Sequence, residues 1–314
     1  MHSLIIPAYD PTDRLVESGV FPHLLEGLVK MDGEKEIVVV NNNGPHATKI
    51  TAFLEEEALK KHIILVSPGR NCGTAGGFNA GFRNADAKAD YYVFVSTDAE
   101  IVDSDILIKI DRGFQQNKRL GIAHPFSVFE DNNEYNIETR FSNRFFYRAV
   151  RNREKSENVD LKKADIETIL LKVNRLSGVL MPRPSVPLTF CVIRREVIEK
   201  IGTFDEGVEF VCHENDDLSY RSLRAGFYVG RINNVFVNHR RMRVKELGAR
   251  NESERRELPH AHEIVQASDW WTKKYGRAYN EIYFEWRHGQ LLYRIVRPWF
   301  SIRRLAARFV RRWL

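Results

Sequence analysis

The chain has 314 residues and a mass of 36.6 kDa, room for one large domain with a modest appendage. With 43% hydrophobic and 29% charged residues, it is too apolar for wholesale disorder and too mixed for a fibre. Its net charge of +6 belongs to one end, because residues 286–314 hold eight arginines and no Asp or Glu, which leaves the remainder slightly acidic.

The first half alternates strand and helix signals. Short, nearly continuous apolar strands over 3–7 (SLIIP), 36–40 (EIVVV), 63–66 and 91–95 are separated by expected helices over 13–31, 47–59 and 77–85. Such strands read as parallel and covered on both faces, and the right-handed crossover rule then gives a doubly wound α/β sandwich whose ligand sits where strands end. Between 126 and 187 the pattern weakens into polar, basic stretches, read as an insertion with one helix over 159–171. Periodicity returns in a strand over 189–193, a helix over 195–201, a turn over 202–207, a charged helix over 213–225 and a strand over 228–237. A basic, polar loop follows over 240–257, then helices from about residue 261. The domain division is therefore 1–260 for the main α/β unit and 261–314 for a basic, helical C-terminal region. Cys72, Cys191 and Cys212 lie far apart with no CxxC pair, which argues against a disulfide framework or zinc ribbon and for a reducing, cytoplasmic setting. No uncharged apolar run of roughly 18 residues occurs, and the opening MHSLIIPAYD reads as strand and turn, so neither a spanning helix nor a signal peptide is expected.

Strand ends carry the chemistry. Pro7, Ala8, Tyr9 and Asp10 follow the first strand, and Asn41, Asn42 and Asn43 follow the second. Tyrosine can stack on a base and asparagine can pair with a base edge, although Pro, Asn and Asp are also what turns use. The third strand runs into SPGRNCGTAGGFNAGFRNA, whose Gly69, Gly73, Gly76, Gly77 and Gly81 allow close backbone approach before a helix opens. Amides at such a helix start suit a phosphate or sugar; the alternative is a tight turn with small residues for packing. The spacing fits neither GxxxxGK[ST] nor GxGxxG. After the fourth strand, STDAE delivers Asp98 and Glu100, oxygen donors of the kind Mn2+ or Mg2+ takes one or two at a time. Further on, HENDDLSYR sets Glu214, Asp216 and Asp217 at a helix start. One or two would serve the helix dipole; three in four residues exceed that need, and one of them can be a general base for a hydroxyl.

Six segments in this order, SLIIPAYDP, VVVNNNG, RNCGTAGGFNAG, STDAEI, FCVIRREVIEKIGTFDE and HENDDLSYR followed by VNH, resemble the family-2 glycosyltransferases, inverting enzymes of bacterial cell-surface glycan synthesis. The resemblance covers about residues 3–239. It implies the GT-A fold, a doubly wound, mixed but mainly parallel sheet sandwiched by helices, with the C-terminal helices as an appendage. It places Pro7, Ala8, Tyr9 and Asn41 at the nucleotide base, and Asn71, Gly73, Ala75, Gly76, Asn79, Thr97 and Asp98 around the rest of the donor. Asp98 takes the metal position, a divalent Mn2+ or Mg2+, with His239 as a further ligand and Glu100 as a third candidate. Ser96 stands where the family's first DxD carboxylate lies, and Asn215 where the second residue of its Glu-Asp pair often lies. Asp216 is accordingly the first choice for catalytic base and Asp217 the second, although Asp217 could instead bond the helix backbone or Arg221. Glu214 then orients the acceptor. Arg240, Arg241 and Arg243 could fold over the diphosphate or form a solvated loop, and Thr189 and Phe190 lead into the strand beneath the acceptor pocket.

The implied partners are a UDP- or dTDP-sugar, with galactofuranose and rhamnose ahead of hexopyranoses, and a glycan or lipid-linked acceptor. The alternatives are a noncatalytic carbohydrate-binding or scaffold protein with a degenerate metal site, for which Ser96 and Asn215 speak, and a sugar nucleotidyltransferase, whose basic phosphate loop has no counterpart here. Drawn as a helix, 301–314 gathers Ile302, Leu305, Ala306, Phe309, Val310 and Trp313 on one arc and Arg304, Arg308 and Arg311 opposite. Such a tail suits the anionic inner face of the plasma membrane, or packing on the main domain or another subunit; no companion motif points to nucleic acid.

Overall fold

The computed structural model describes residues 1–10, 13–43, 48–127, 170, 173–174, 178–180, 185–207, 213–239, 270–277, 281–282, 285, 294 and 298. The helix expected over 159–171, apart from residue 170, the loop over 240–257 and the tail over 301–314 lie outside them.

β1 (His2–Ala8) leads through α1 (Arg14–Glu17) and α2 (Val20–Lys30) to β2 (Lys35–Asn41), then α3 (Thr48–Leu59), β3 (Ile64–Val66), α4 (Gly73–Phe82) and β4 (Tyr91–Val95). This is the expected alternation, with two changes. The helix expected over 13–31 is broken at Gly19, whose φ of 74° is a glycine conformation, and α4 begins four residues earlier than expected, at Gly73. The second half supplies β5 (Ala99–Glu100), α5 (Ile106–Gln116), β6 (Leu120–Phe126), β7 (Val179–Leu180), β8 (Phe190–Arg194), α6 (Arg195–Ile201), α7 (Glu214–Arg224), β9 (Tyr228–Phe236) and β10 (Asn238–His239).

The main sheet runs β3-β2-β1-β4-β8-β6-β9-β7. β1 to β4 are mutually parallel, β6 pairs parallel with β9, and β8 lies antiparallel between β4 and β6. The fold is thus the mixed, mainly parallel α/β sandwich expected. Alternation along the strands builds both layers of core. Leu4, Ile6, Val39, Val93 and Val95 meet Phe21, Leu24 and Leu28 of α2 and Ile110 and Phe114 of α5 on one face. Ile5, Val38, Tyr92 and Phe94 meet Phe78 of α4, Val197 of α6 and Leu218 of α7 on the other.

Two features of this scaffold place the site. The chain leaves β1 for β2 and β3 on one side and returns to add β4 on the other, so the carboxyl ends of β1 and β4 flank a topological switch. α4 also lies very close to β1: a Cβ on Gly81 would come within 2.4 Å of Ile5 Cγ2, and one on Gly77 within 2.8 Å of Pro7 Cβ. Only glycine permits that approach, and it brings the start of α4 to the same rim. α7, which packs on β9 and β6 and feeds β9, presents its N-terminus there as well.

Candidate active site

At the end of β1 the Asp10 carboxylate accepts amides from Arg14 (2.9 Å), Leu15 (2.7 Å) and Val16 (3.3 Å), so it ties the chain into α1. Burial pushes this carboxyl above its ordinary value, against those amides. The asparagines after β2 are knitted inward. Asn42 accepts from the Cys72 amide (2.8 Å) and donates to the Gly73 carbonyl (3.0 Å), which fixes the start of α4. Asn41 donates to Thr51 Oγ1 (2.9 Å), while its oxygen accepts from the backbone (3.4 Å) and side chain (3.1 Å) of Asn43. A backbone amide can only donate, so the oxygen of Asn41 faces Asn43, and an N–H is the group Asn41 has left for a base.

These contacts sort the expected donor residues. Tyr9 is 48% exposed at the rim, and Asn71, Thr97 and Asp98 are half-buried there. Ala8 is fully buried, and its carbonyl already accepts from Asn42 (2.8 Å) and Asn43 (3.2 Å). Pro7 packs on Gly77, Ala75 belongs to the core, and Gly73 and Gly76 are buried within α4, with Gly76 facing Cys72. Asn79 is buried and donates to the Phe204 carbonyl and to Glu206 Oε1, both at 2.9 Å. Expected as a donor ligand, Asn79 instead clamps the 202–207 turn onto α4. The glycine-rich stretch serves packing, and Asn71, whose side chain accepts the Gly73 amide at 2.9 Å, turns the chain into α4.

Past β4, four side chains form a chain of hydrogen bonds. Ser96 Oγ donates to Asp98 Oδ1 at 2.6 Å, His239 Nε2 stands 3.2 Å from the same oxygen, and His239 Nδ1 lies 3.1 Å from Thr189 Oγ1. Burial disfavours the Asp98 carboxylate, but the hydrogen bond and charge of His239 and the Ser96 hydroxyl outweigh it and hold the carboxyl below its ordinary value. The backbone enforces this meeting, since β5 and β10 pair antiparallel with His239 opposite Ala99 and Asn238 opposite Glu100. Glu100 does not join the group: its Oε2 accepts from Asn238 at 2.7 Å and its Oε1 lies 3.4 Å from His23 Nε2. The expectation of Glu100 as a metal ligand is therefore corrected to a buried tie between β5, β10 and α2. Among the described residues no group of three or more His, Cys, Asp or Glu is arranged to hold a metal. Asp98 and His239 do fit one as a pair, because two donors about 2.1 Å from one ion and at right angles stand about 3.0 Å apart, and Mn2+ accepts both carboxylate and imidazole.

α7 divides its polar residues among different tasks. Asp217 is fully buried and accepts from Arg221 Nε (2.7 Å), Lys274 Nζ (2.6 Å) and Tyr275 Oη. Arg221 goes on to the carbonyls of Ile201 (2.7 Å) and Thr203 (2.8 Å), and Lys274 to Asp205 (2.7 Å). Burial and the Asp217 bond push the Tyr275 hydroxyl far up. Asp217, the second choice for base, is thus the structural hub the Arg221 spacing allowed, with a helical segment over 270–275 docked on it. Glu214 is buried, and Asn215 donates to Ser185 Oγ (3.1 Å) and the Val186 carbonyl (2.8 Å). Asp216 is partly exposed and lies 2.7 Å from His213 Nδ1. Sequence reasoning missed His213 and Trp271, which pack together; the i,i+3 spacing of His213 and Asp216 was the available signal.

The model of glycosyl transferase family 2 matches residues 3–202, from β1 through α6. The chain belongs to that family. No curated protein sequence matches this glycosyltransferase. Among solved structures, the mannosyltransferase PcManGT of Pyrobaculum calidifontis, in complex with GDP-Man and Mn2+, is 16% identical with a TM-score of 0.53 over 87% of this chain and 64% of that one. GalNAc-T7 with UDP, GalNAc and Mn2+ is 11% identical with a TM-score of 0.53 over 76% of this chain and 43% of that one. The chain therefore spans less than two thirds of either structure, and at these identities the likeness is one of fold, the GT-A fold. The family match ends before α7 and β10, so the roles of Asp216 and His239 rest on the geometry above.

Two measurements check these assignments. Asp217→Ala leaves Arg221, Lys274 and Tyr275 without their shared acceptor and is expected to cost about 3–5 kcal/mol in urea unfolding, whereas Asp216→Asn costs about 1 kcal/mol or less. The lowered Asp98 carboxyl contributes stability that is complete above the ordinary carboxylate range, near pH 4, and is lost as pH falls through its lower folded value. In carboxyl NMR titrations, His239→Ala and Ser96→Ala should each move the Asp98 midpoint upward.

Proposed function

We propose that this enzyme transfers a sugar from a nucleoside-diphosphate donor, UDP- or dTDP-linked, to a hydroxyl of a glycan or lipid-linked acceptor in cell-surface polysaccharide synthesis, with inversion. The observation that carries the reading is Asp98, kept ionised beside His239 at the switch point of a family-2 chain. Tyr9 is placed to stack on the base and the Asn41 amide to meet its edge. A divalent cation held by Asp98 and His239 would, when bound, neutralise charge on the diphosphate; the Mn2+ in both structural relatives supports this. Asp216 takes the proton from the acceptor hydroxyl as that oxygen bonds to the anomeric carbon, and the bond from that carbon to the diphosphate oxygen breaks on the opposite face. One in-line displacement inverts the anomeric centre. Galactofuranose and rhamnose lead as donor sugars on the resemblance of the AGGFN stretch. The basic C-terminal sequence further directs the enzyme to the anionic inner face of the plasma membrane; among the described residues no helix is long and apolar enough to cross one.

A panel of UDP-galactofuranose, dTDP-rhamnose, GDP-mannose and UDP-N-acetylgalactosamine with Mn2+ tests the donor. One of the first two should raise the melting temperature, with a gain of about 2.7 kcal/mol at a hundredfold excess over Kd. Asp216→Asn should keep that shift while turnover falls roughly 10²- to 10⁴-fold. A panel without any shift, or an Asp216→Asn enzyme at normal rate, overturns the reading. For the membrane, the intact enzyme should pellet with phosphatidylserine vesicles, and a version ending at Gly289 should stay in the supernatant; equal partition refutes that part.

A further inference from the structure

If Asp216 is the proton acceptor, something must hold its carboxylate in one orientation, and the amide of the adjacent Asn215 is directed elsewhere, donating to Ser185 and Val186. The structure shows a different support. His213 stands at the N-cap of α7 in the left-handed region, φ 68°, a conformation that a residue with a side chain adopts only where its surroundings demand it. Here they do. The left-handed turn folds the imidazole back along the first turn of the helix, where Nδ1 stands 2.7 Å from Asp216 Oδ2. An ionised carboxylate only accepts, so Nδ1 carries the hydrogen. The indole of Trp271, fully buried, lies against the imidazole with ring centres 5.9 Å apart, and is itself wedged against Tyr220 (6.1 Å) and Tyr275 (4.8 Å). Lys274 and Tyr275, one helical turn on, grip Asp217. The 270–275 segment thus reaches Asp216 by two routes, through the ring of His213 and through the register of α7.

We propose that His213 is the positioning residue for Asp216, its Nδ1–H fixing one carboxylate oxygen so that the other meets the acceptor hydroxyl, and that Trp271 holds the imidazole in that pose. Residues 270–275 are then a working part of the acceptor-activating site. This rests on Asp216 as the base.

The test uses the full chain with Mn2+ and either UDP-galactofuranose or dTDP-rhamnose, following nucleotide release with water or a supplied glycan as acceptor. His213→Ala removes the bond and should lower kcat roughly 10- to 100-fold, the loss expected when a reacting group is misplaced by about an ångström, with donor KM within about twofold. His213→Asn sets an amide N–H where Nδ1 stands and tolerates the left-handed backbone, so it should recover most of the lost rate. Trp271→Leu should reproduce the kcat loss, again without a change in donor KM. Donor-induced thermal stabilisation, retained in each variant, shows that the fold persists. A normal kcat in His213→Ala, a loss confined to KM, or His213→Asn no faster than His213→Ala overturns the proposal, the last because the imidazole itself would then be the proton acceptor. Should Asp216→Asn be inactive while His213→Ala is not, only this inference fails; should Asp216→Asn turn over normally, the base assignment fails with it.

Discussion

A carboxylate and an imidazole 3.2 Å apart, Asp98 and His239, close the mouth of this sheet. They join the end of β4 to the end of β9, and the backbone pairing of β5 with β10 and the Asn238–Glu100 bond do the same one residue further out. Burial works against a charged Asp98, so the imidazole does two things at once: it pins the strand ends together and keeps the oxygen anionic. Ser96 acquires a reason in this light. A second carboxylate in its place would repel Asp98 and raise its pKa, whereas the hydroxyl donates to it. A hydroxyl therefore stands where a second carboxylate would, and one anionic oxygen is retained between Ser96 and His239.

The same economy marks HENDDLSYR. Four neighbouring polar side chains point around one helix turn into four environments: Glu214 inward, Asn215 to the 185–186 backbone, Asp217 into a fully buried knot with Arg221, Lys274 and Tyr275, and Asp216 toward His213 at the partly open edge. Of the three carboxylates, Asp216 is the least buried. The buried knot sets the height and rotation of α7, and with them the position of the exposed member.

How much of this could be read from residues alone depends on whether a feature is periodic. The parallel half was legible because SLIIP, EIVVV and YYVFV are short, nearly continuous in apolar residues and separated by helix-length spacers. β8 was visible as a strand, but four apolar residues look the same in either direction, and its antiparallel insertion beside β4 is set by the sheet. β6 escaped notice because its HPF ending carries a proline, at a point where the pairing with β9 is in fact irregular. In the site, Asp98 was singled out by its strand-end position and His239 by the family resemblance, and the structure brings the two side chains together. Asp216 and Asp217 are the same residue type, and the structure gives them different surroundings, Asp217 buried and paired with Arg221 four residues on and Asp216 beside His213. Asn79 and the glycines of α4 were read as ligand-facing when their register turns them toward β1 and the 202–207 turn. Trp271, more than fifty residues past His213 in sequence, could not have been placed beside it by any local pattern.

The strand order also dictates when the molecule can be finished on the ribosome. β6 finds its partners only in β8 and β9, which are synthesised later, and β4 keeps one edge open until β8 arrives to fill it. At roughly 5–20 residues per second, the wait from residue 126 to residue 190 is about 3–13 seconds, during which both edges of β6 and one edge of β4 lack the partners they have in the finished sheet. The parallel quartet can form early, but the nascent protein passes through an interval in which a chaperone has something to hold.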